Sequence, residues 1–361
     1  MNNLNVYKLP KNSLNNNEIK DNLIFMSRYE NNSLFSLGYH YYIGRTRAAL
    51  ASNIINVKTN ETTNEFYYVV NKFEINISNY TEPLFEYDNR DYYKFIEIYF
   101  LFDIINNDTT KIISINDESN SIELFRDKYF DKKDKILNEY KKNVLAELII
   151  SNNYANTENE FIEILINEIK NIIESQDKNG NLILRIFDTF TLPTIKLLYI
   201  LTSFYDESYI YKPLYSRPSD SEKYLICKKF MGKDTRKLIS SIDEILNIIK
   251  KKDKYISNIY FDMEIPDEYL NVFKYVNIKL VNEQQILINE IIKYIKENNY
   301  FGDKYHEHRN QQIDSNKFWI KNFLTPTKLN YKTTKTNFND IIKSKIEKNN
   351  IDKDKFIQNL I

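Results

Sequence analysis

The sequence is short of the residues that build special sites. Cys227 is the one cysteine in 361 residues, which excludes an internal disulfide and a cysteine cluster and fits a reducing compartment. Histidine is nearly as scarce, with His40, His306 and His308. The last two flank Glu307, and side chains two apart on a helix face different ways, so no metal site is expected. Glycine numbers five, at 38, 44, 180, 232 and 302, and no Walker loop is present. An excess of either charge is missing too. Fifty basic residues balance fifty acidic ones, so any nucleic-acid surface must be a local patch. No apolar run is long enough to span a bilayer and no charged-then-apolar leader opens the chain. A cytosolic protein without a membrane partner is the expectation.

What is present falls into helix and strand periods. The length suits one large domain, or one domain with substantial additions. Residues 1–30 are Asn-rich and polar, an arm in partial order. Ser36 to Leu50 mixes aromatic rings with Arg45 and Arg47. It reads as an RNA-facing patch with stacking rings or as a surface helix packing its rings inward. Phe66 to Ile77 alternates as a strand. Arg90 to Ile105 places Phe95, Ile98, Tyr99 and Phe102 on one helix face, with Lys94 beside it. Lys111–Ile115 and Val144–Ser151 read as apolar strands. Between them Asn120 and Glu123 suggest a capping box, followed by a charged stretch from Arg126 to Lys142. Thr157 and Glu160 form a second capping box, opening a helix whose core face is Phe161, Leu165, Ile169 and Ile172.

The densest pattern lies in residues 179–230. Asn179-Gly180 is turn chemistry, and Leu182 to Phe187 is a buried strand interrupted by Arg185. Thr191 to Phe204 is a helix with Pro193 in its first turn. Tyr209–Lys212 and Tyr224–Lys228 are strands joined by a loop of Pro, Ser, Arg and Glu. Further on, Asp234–Lys252 and Val281–Asn298 are amphipathic, and Gly302 precedes a polar helix reaching Trp319. Lys328 to Ile361 is a charged tail with room for a short helix from Asn339.

The order LILRIFD, apolar helix, YIYKP, SRPSDSEKYLICKKF resembles the end of the catalytic domain in FtsJ-like RNA ribose 2'-O-methyltransferases. The likeness is strongest to the cap-type enzymes of large DNA viruses. In that family a strand carries a catalytic lysine, then come a helix, Lys-Pro, Ser-Arg-Pro and a catalytic glutamate before the last strand. Tyr93-Lys94-Phe95-Ile96-Glu97-Ile98 is similar to the family's opening helix. FYYVVNKFE and IKYIKENNYFGDKYHEH are similar to the leader and helical extension of viral members. The resemblance implies an α/β fold of the S-adenosylmethionine methyltransferase type. That fold is a Rossmann-like, doubly wound, mostly parallel sheet with an antiparallel final hairpin and a C-terminal helical extension. The division expected is a polar arm over 1–35, an N-terminal extension over 36–88, the methyltransferase domain over 89–230, the helical extension over 231–325 and a charged tail over 326–361.

Carried over residue by residue, the family's Lys-Asp-Lys-Glu tetrad falls on Lys94, Asn152, Arg185 and Glu222. In the family the second lysine is the base or charge relay that activates the ribose 2'-hydroxyl. Arginine is not usefully deprotonated in a protein. Arg185 therefore holds an anion, orients an oxygen, or simply forms an ion pair with Glu222. The cofactor loop would follow Ile115, where Asn116, Asp117 and Glu118 replace an acid, a proline and glycines. Only glycine lacks both the Cβ and the restriction on φ, so close backbone approach is hard to build there. S-adenosylmethionine is the cofactor if the chain is active; otherwise none is expected. Lys212, Arg217 and Lys223, with Arg45 and Arg47, are RNA-contact candidates, or a solvated charged loop.

Two functions follow from the resemblance. One is a catalytically degenerate homologue acting as an RNA-binding or regulatory subunit beside a capping enzyme or polymerase, with capped mRNA as its RNA. The other is an active cap-proximal ribose 2'-O-methyltransferase with Lys94 as base. Either would work in the host cytoplasm, a viral factory or the virion.

Overall fold

Alternation along the central strands decides the architecture. In β6 (Gln176–Ile186), Leu182, Leu184 and Ile186 enter one core and Ile183 the other. In β8 (Lys223–Phe230), Leu225 and Cys227 part from Tyr224 and Ile226 in the same way. Strands apolar on both faces need helices on both.

The computed structural model describes residues 4–11, 23–27, 35–57, 70–75, 89–105, 111–117, 120–129, 135–232, 235–249, 255–260, 265–297, 302–323 and 343–355. Its main sheet has seven strands. From one edge they run β1 (Asn5–Lys8), β7 (Tyr205–Lys212), β8, β6, β5 (Ala146–Ser151), β3 (Lys111–Ile115) and β4 (Lys135–Leu137). The pairs among β3, β4, β5 and β6 are parallel. β8 runs antiparallel to both β6 and β7, and β1 antiparallel to β7. This is the doubly wound sheet with an antiparallel final hairpin that the resemblance implied.

One face is covered by α4 (Glu158–Ser175), α5 (Leu192–Thr202), α6 (Arg236–Ile249) and the first half of α7 (Asp267–Glu297). The other is covered by α2 (Arg90–Phe102), α3 (Ser121–Tyr129) and α8 (Asp303–Phe323). α1 (Leu37–Val57) packs on the second half of α7 through Ile43, Leu50, Val281 and Ile288. A last helix, α9, spans 343–355. Its Asn349 donates to the Val6 carbonyl at 2.6 Å, capping part of the exposed edge of β1. A small antiparallel sheet joins β2 (Leu23–Ser27) to β9 (Tyr255–Tyr260).

α2 is the central element of the second face. Asn89 caps it by accepting from the Asp91 N–H at 2.9 Å, and Asp103 ends it at φ 50°. Every residue from Tyr92 to Phe102 is buried, because the helix lies between the sheet and α8. Each large apolar side chain buried there contributes about 1.5–3 kcal/mol. The Thr157 cap is present: its hydroxyl accepts from Glu160 N–H, while Glu160 reaches back to Asn156 rather than to Thr157.

Several expectations are corrected. Residues 1–35 are not simply an arm, since β1 is built into the main sheet. Val70 to Ile75 form no strand; the rest of that expected strand, on both sides, lies outside the described residues. The charged stretch 126–142 contains β4, paired to β3. Asn179-Gly180 is not a turn between elements but an irregularity inside β6, where the pairing shifts between Ala146 and Leu148. A Cβ on Gly180 would stand 2.8 Å from the Glu147 carbonyl oxygen. Asn120 does not take the extended cap conformation; its φ is 47°, and Asp117 instead accepts from Ser114 and Ser121.

Candidate functional site

Where β3 feeds outward to β4 and the chain returns to β5, the sheet reverses its winding. Ligands of such sheets bind outside the strand carboxyl ends at that point. Arg185 stands near that end of β6, opposite Tyr224 of β8, and Asn152 follows β5. Lys94 comes from the first turns of α2, and Glu222 from the residue before β8.

The fold brings these four together. Glu222 is buried; its Oε2 lies 2.7 Å from Lys94 Nζ and its Oε1 2.6 Å from an Arg185 terminal nitrogen. Ser216 and Tyr224 also donate to its carboxylate, at 2.8 and 3.3 Å. Lys94 is held on its other side by Asp91 at 2.7 Å. Arg185 donates to Asn152 Oδ1 at 3.4 Å. Burial alone would push the Glu222 carboxyl up, but Lys94 and then Arg185 outweigh it and hold it down at about 2. Glu222 is thus an ionised counter-charge to two cations. For Arg185, burial favours loss of the proton, and the charge of Glu222 more than reverses it. That guanidinium is permanently charged.

The crevice beyond β3 and β5 is where the resemblance places S-adenosylmethionine. Asn116 donates to Asn153 at 2.6 Å, and the Asn152 amide donates to the Asn116 carbonyl at 3.1 Å. These contacts tie the two strand ends together where the resemblance implies glycines. The residues present fit the group poorly. Asn116 does adopt a left-handed φ of 57°, the conformation that asparagine tolerates best after glycine. Glu118 lies outside the described residues.

The expected RNA-contact lysines are not at the surface. Lys212 is buried and donates to the carbonyls of Asp220 and Glu222 at 2.7 and 2.8 Å. Lys223 is buried and donates to the Phe187 carbonyl. Burial pushes both ammonium groups down to about 8. They brace the hairpin rather than face solvent, because a buried ammonium is stable only where carbonyls replace water. Arg217 is half-buried and shares Glu74 with Arg90. Arg47 forms a two-pronged pair with Asp188, at 2.6 and 2.9 Å, and so ties α1 to the chain just past β6. Arg45 is exposed, over the ring of Tyr41.

The sequence reading gave no role to Glu97, although it lies three residues after Lys94 in the quoted motif. Fully buried, it accepts from Tyr211 Oη at 2.6 Å, Leu214 N–H at 2.8 Å, Tyr215 N–H at 3.2 Å and Trp319 Nε1 at 2.8 Å. One carboxylate therefore fixes α2, the loop after β7 and α8 together. Burial pushes it up to about 7, even against those donors. Tyr154 also went unassigned. Its ring is 62% exposed and lies over Arg185, 5.8 Å from the guanidinium carbon.

Comparison with known proteins points to the same fold. Residues 122–230 match the FtsJ-like methyltransferase family, a stretch that holds Asn152, Arg185 and Glu222 but not Lys94. An uncharacterized protein of Acanthamoeba polyphaga mimivirus is 28% identical over 247 residues, 66% of this chain and 67% of its own. The cap-specific mRNA (nucleoside-2'-O-)-methyltransferase 1 of Dictyostelium discoideum is 30% identical over 105 residues, 29% of this chain and 14% of its own. Its namesake in Trypanosoma cruzi (strain CL Brener) is 45% identical over 53 residues, 15% of each chain. Over residues 122–230 the chain is similar to FtsJ-like methyltransferases, and it spans only about a seventh of the length of the two cap-specific relatives.

Proposed function

We propose that this chain binds RNA through an FtsJ-like methyltransferase fold without transferring a methyl group. It would serve as an RNA-binding or regulatory subunit of a viral mRNA capping or processing assembly. The relatives named as cap-specific mRNA methyltransferases suggest capped mRNA as its RNA. The observation that carries the reading is the Arg185–Glu222 pair at 2.6 Å, with Asn152 on the other side of the guanidinium. A ribose 2'-hydroxyl reacts only if some group takes its proton, and a guanidinium does not give one up to become that base. It does hold an oxygen anion or a hydroxyl well. The asparagine bridge across the crevice supports the same reading.

A second reading, an active 2'-O-methyltransferase with Lys94 as base, is favoured by the retained contact of Lys94 with Glu222 and by the left-handed turn at Asn116. S-adenosylmethionine titrated calorimetrically into the purified chain separates the two. The first reading expects no heat of binding at high ligand concentration. Micromolar binding that is lost in Asn116→Ala would favour the second.

A further inference from the structure

A groove of about 650 Å³ runs between the second half of α7, the start of α8 and the loop after β7. Phe73, Leu214, Pro218 and Leu287 give it an apolar lining, and Ile286, which lines it too, is 62% exposed. Three carboxylates share the groove: Glu283 and Glu290 of α7 and Glu307 of α8. Glu283 and Glu290 are seven residues apart, two helical turns, so they lie on one face about 10 Å from each other along the axis. Ile286 and Leu287 fall between them. Against these acids stand the exposed Lys72 and the buried Lys212, whose ammonium is already held by the carbonyls of Asp220 and Glu222. Burial lowers the His308 imidazole, so it adds no charge at neutral pH. An excess of carboxylates repels phosphate and suits a cationic occupant with apolar surface of its own.

We propose that this groove docks a segment of a partner protein in which basic side chains flank an apolar one. The apolar side chain covers Ile286, and the basic ones meet Glu283, Glu290 and Glu307. This goes beyond the RNA-binding reading, since it assigns a protein contact and holds whether or not RNA binds. Covering Ile286 removes apolar surface from water and supplies affinity, while the carboxylates select the partner and speed its approach. An extended chain advances about 3.3 Å per residue, so basic residues about three or four apart match the span from Glu283 to Glu290. The loop that walls the groove with Leu214 and Pro218 also carries Ser216, which donates to Glu222. A docked segment therefore lies against the loop that holds the buried glutamate.

The test is fluorescence anisotropy of the fluorescein-labelled peptide Gly-Lys-Ser-Leu-Ser-Lys-Gly titrated with the chain and two variants. One variant combines Glu290→Lys with Glu307→Lys; the other is Ile286→Ala. All three positions are exposed, so both variants should fold, which circular dichroism checks. The same peptide with glutamate in place of each lysine is titrated in parallel. The lysine peptide should bind the parent, about tenfold or more weakly after the charge reversal and about threefold or more weakly after Ile286→Ala. The glutamate peptide should bind only the charge-reversed variant. Binding of single-stranded RNA by the same preparations should be alike in parent and variants. Equal affinity of parent and charge-reversed variant for the lysine peptide, or no binding of it by the parent, would overturn the docking site and leave the RNA-binding reading standing. Displacement of the peptide by RNA would overturn it too and give the groove to RNA. No RNA binding by a parent that binds the peptide would overturn the RNA-binding reading alone.

Discussion

Removing the carboxylate of Glu222 would leave two buried cations, Lys94 and Arg185, facing each other. Breaking a buried pair from one side costs about 3–5 kcal/mol, so Glu222→Ala should lose that much in urea unfolding at neutral pH. The pH dependence has a definite sign. A carboxyl depressed from 4.5 to about 2 adds stability above its ordinary value, and that stability disappears as pH falls from about 4.5 towards 2. In the variant this part of the acid loss should be missing. Glu97 has the opposite sign. Raised from 4.5 to about 7, it favours the fold fully below its ordinary value and loses that contribution as pH rises towards 7. Glu97→Gln should flatten the decline in unfolding midpoint between those limits. Glu158 and Glu168, also pushed up by burial, retain part of it. An unchanged slope would mean that Glu97 is not the caged group described. That Lys94, Asn152, Arg185 and Glu222 would meet was legible because the motif residues stand in a recognisable order. The settings of Glu97 and Tyr154 were not, since a buried acceptor and an exposed ring depend on what the fold packs beside them. Scarce glycine limits the φ > 0 positions less than expected, since Asn116, Asn120, Asn143 and Asn179 all adopt left-handed φ, from 47° to 64°; the Cβ that asparagine carries is unaffected by this.

Among the elements, β6 and α2 carry the site, and each depends on a local device. In β6 it is Gly180, whose missing Cβ leaves room for the Glu147 and Asp177 carbonyls, 2.8 and 2.9 Å from where that atom would be. Gly180→Ala should cost about 1–3 kcal/mol by overpacking, measured as a lower urea midpoint; an unchanged midpoint would show that the strand shifts freely. In α2 the device is the contact with α8, made through the one tryptophan of the chain. Trp319 is fully buried, stacked on Phe323 and edge-on to Tyr93 and Tyr215. Strands with strong apolar alternation and helices with clear caps were readable from sequence. β1, β2, β4 and β9 were not, because three to six residues at a sheet edge or in a two-stranded ribbon carry too little pattern to stand out. The start of α7 was missed for a related reason: its first half packs on the sheet and its second half on α1, so no single stripe runs its length.

At the scale of the whole molecule, the helical extension is part of the site's architecture. α8 donates from Gln312 and Asn316 to the carbonyls of Asn71 and Glu74, and Asn316 accepts from Tyr215. It thereby holds both the Glu74–Arg90–Arg217 cluster and the loop after β7. Among the described residues no helix is long and apolar enough to cross a membrane, and no acidic or histidine cluster could hold a metal. The proposed loss of methyl transfer turns on Arg185, a guanidinium paired with Glu222 at 2.6 Å and poorly suited to take the ribose proton. Its most direct test is transfer of a radiolabelled methyl group from S-adenosylmethionine to a short capped RNA, with RNA binding measured on the same protein preparation. RNA bound with no label above the no-enzyme background is the predicted result. Label on the cap-proximal ribose, abolished in Lys94→Ala, would contradict it.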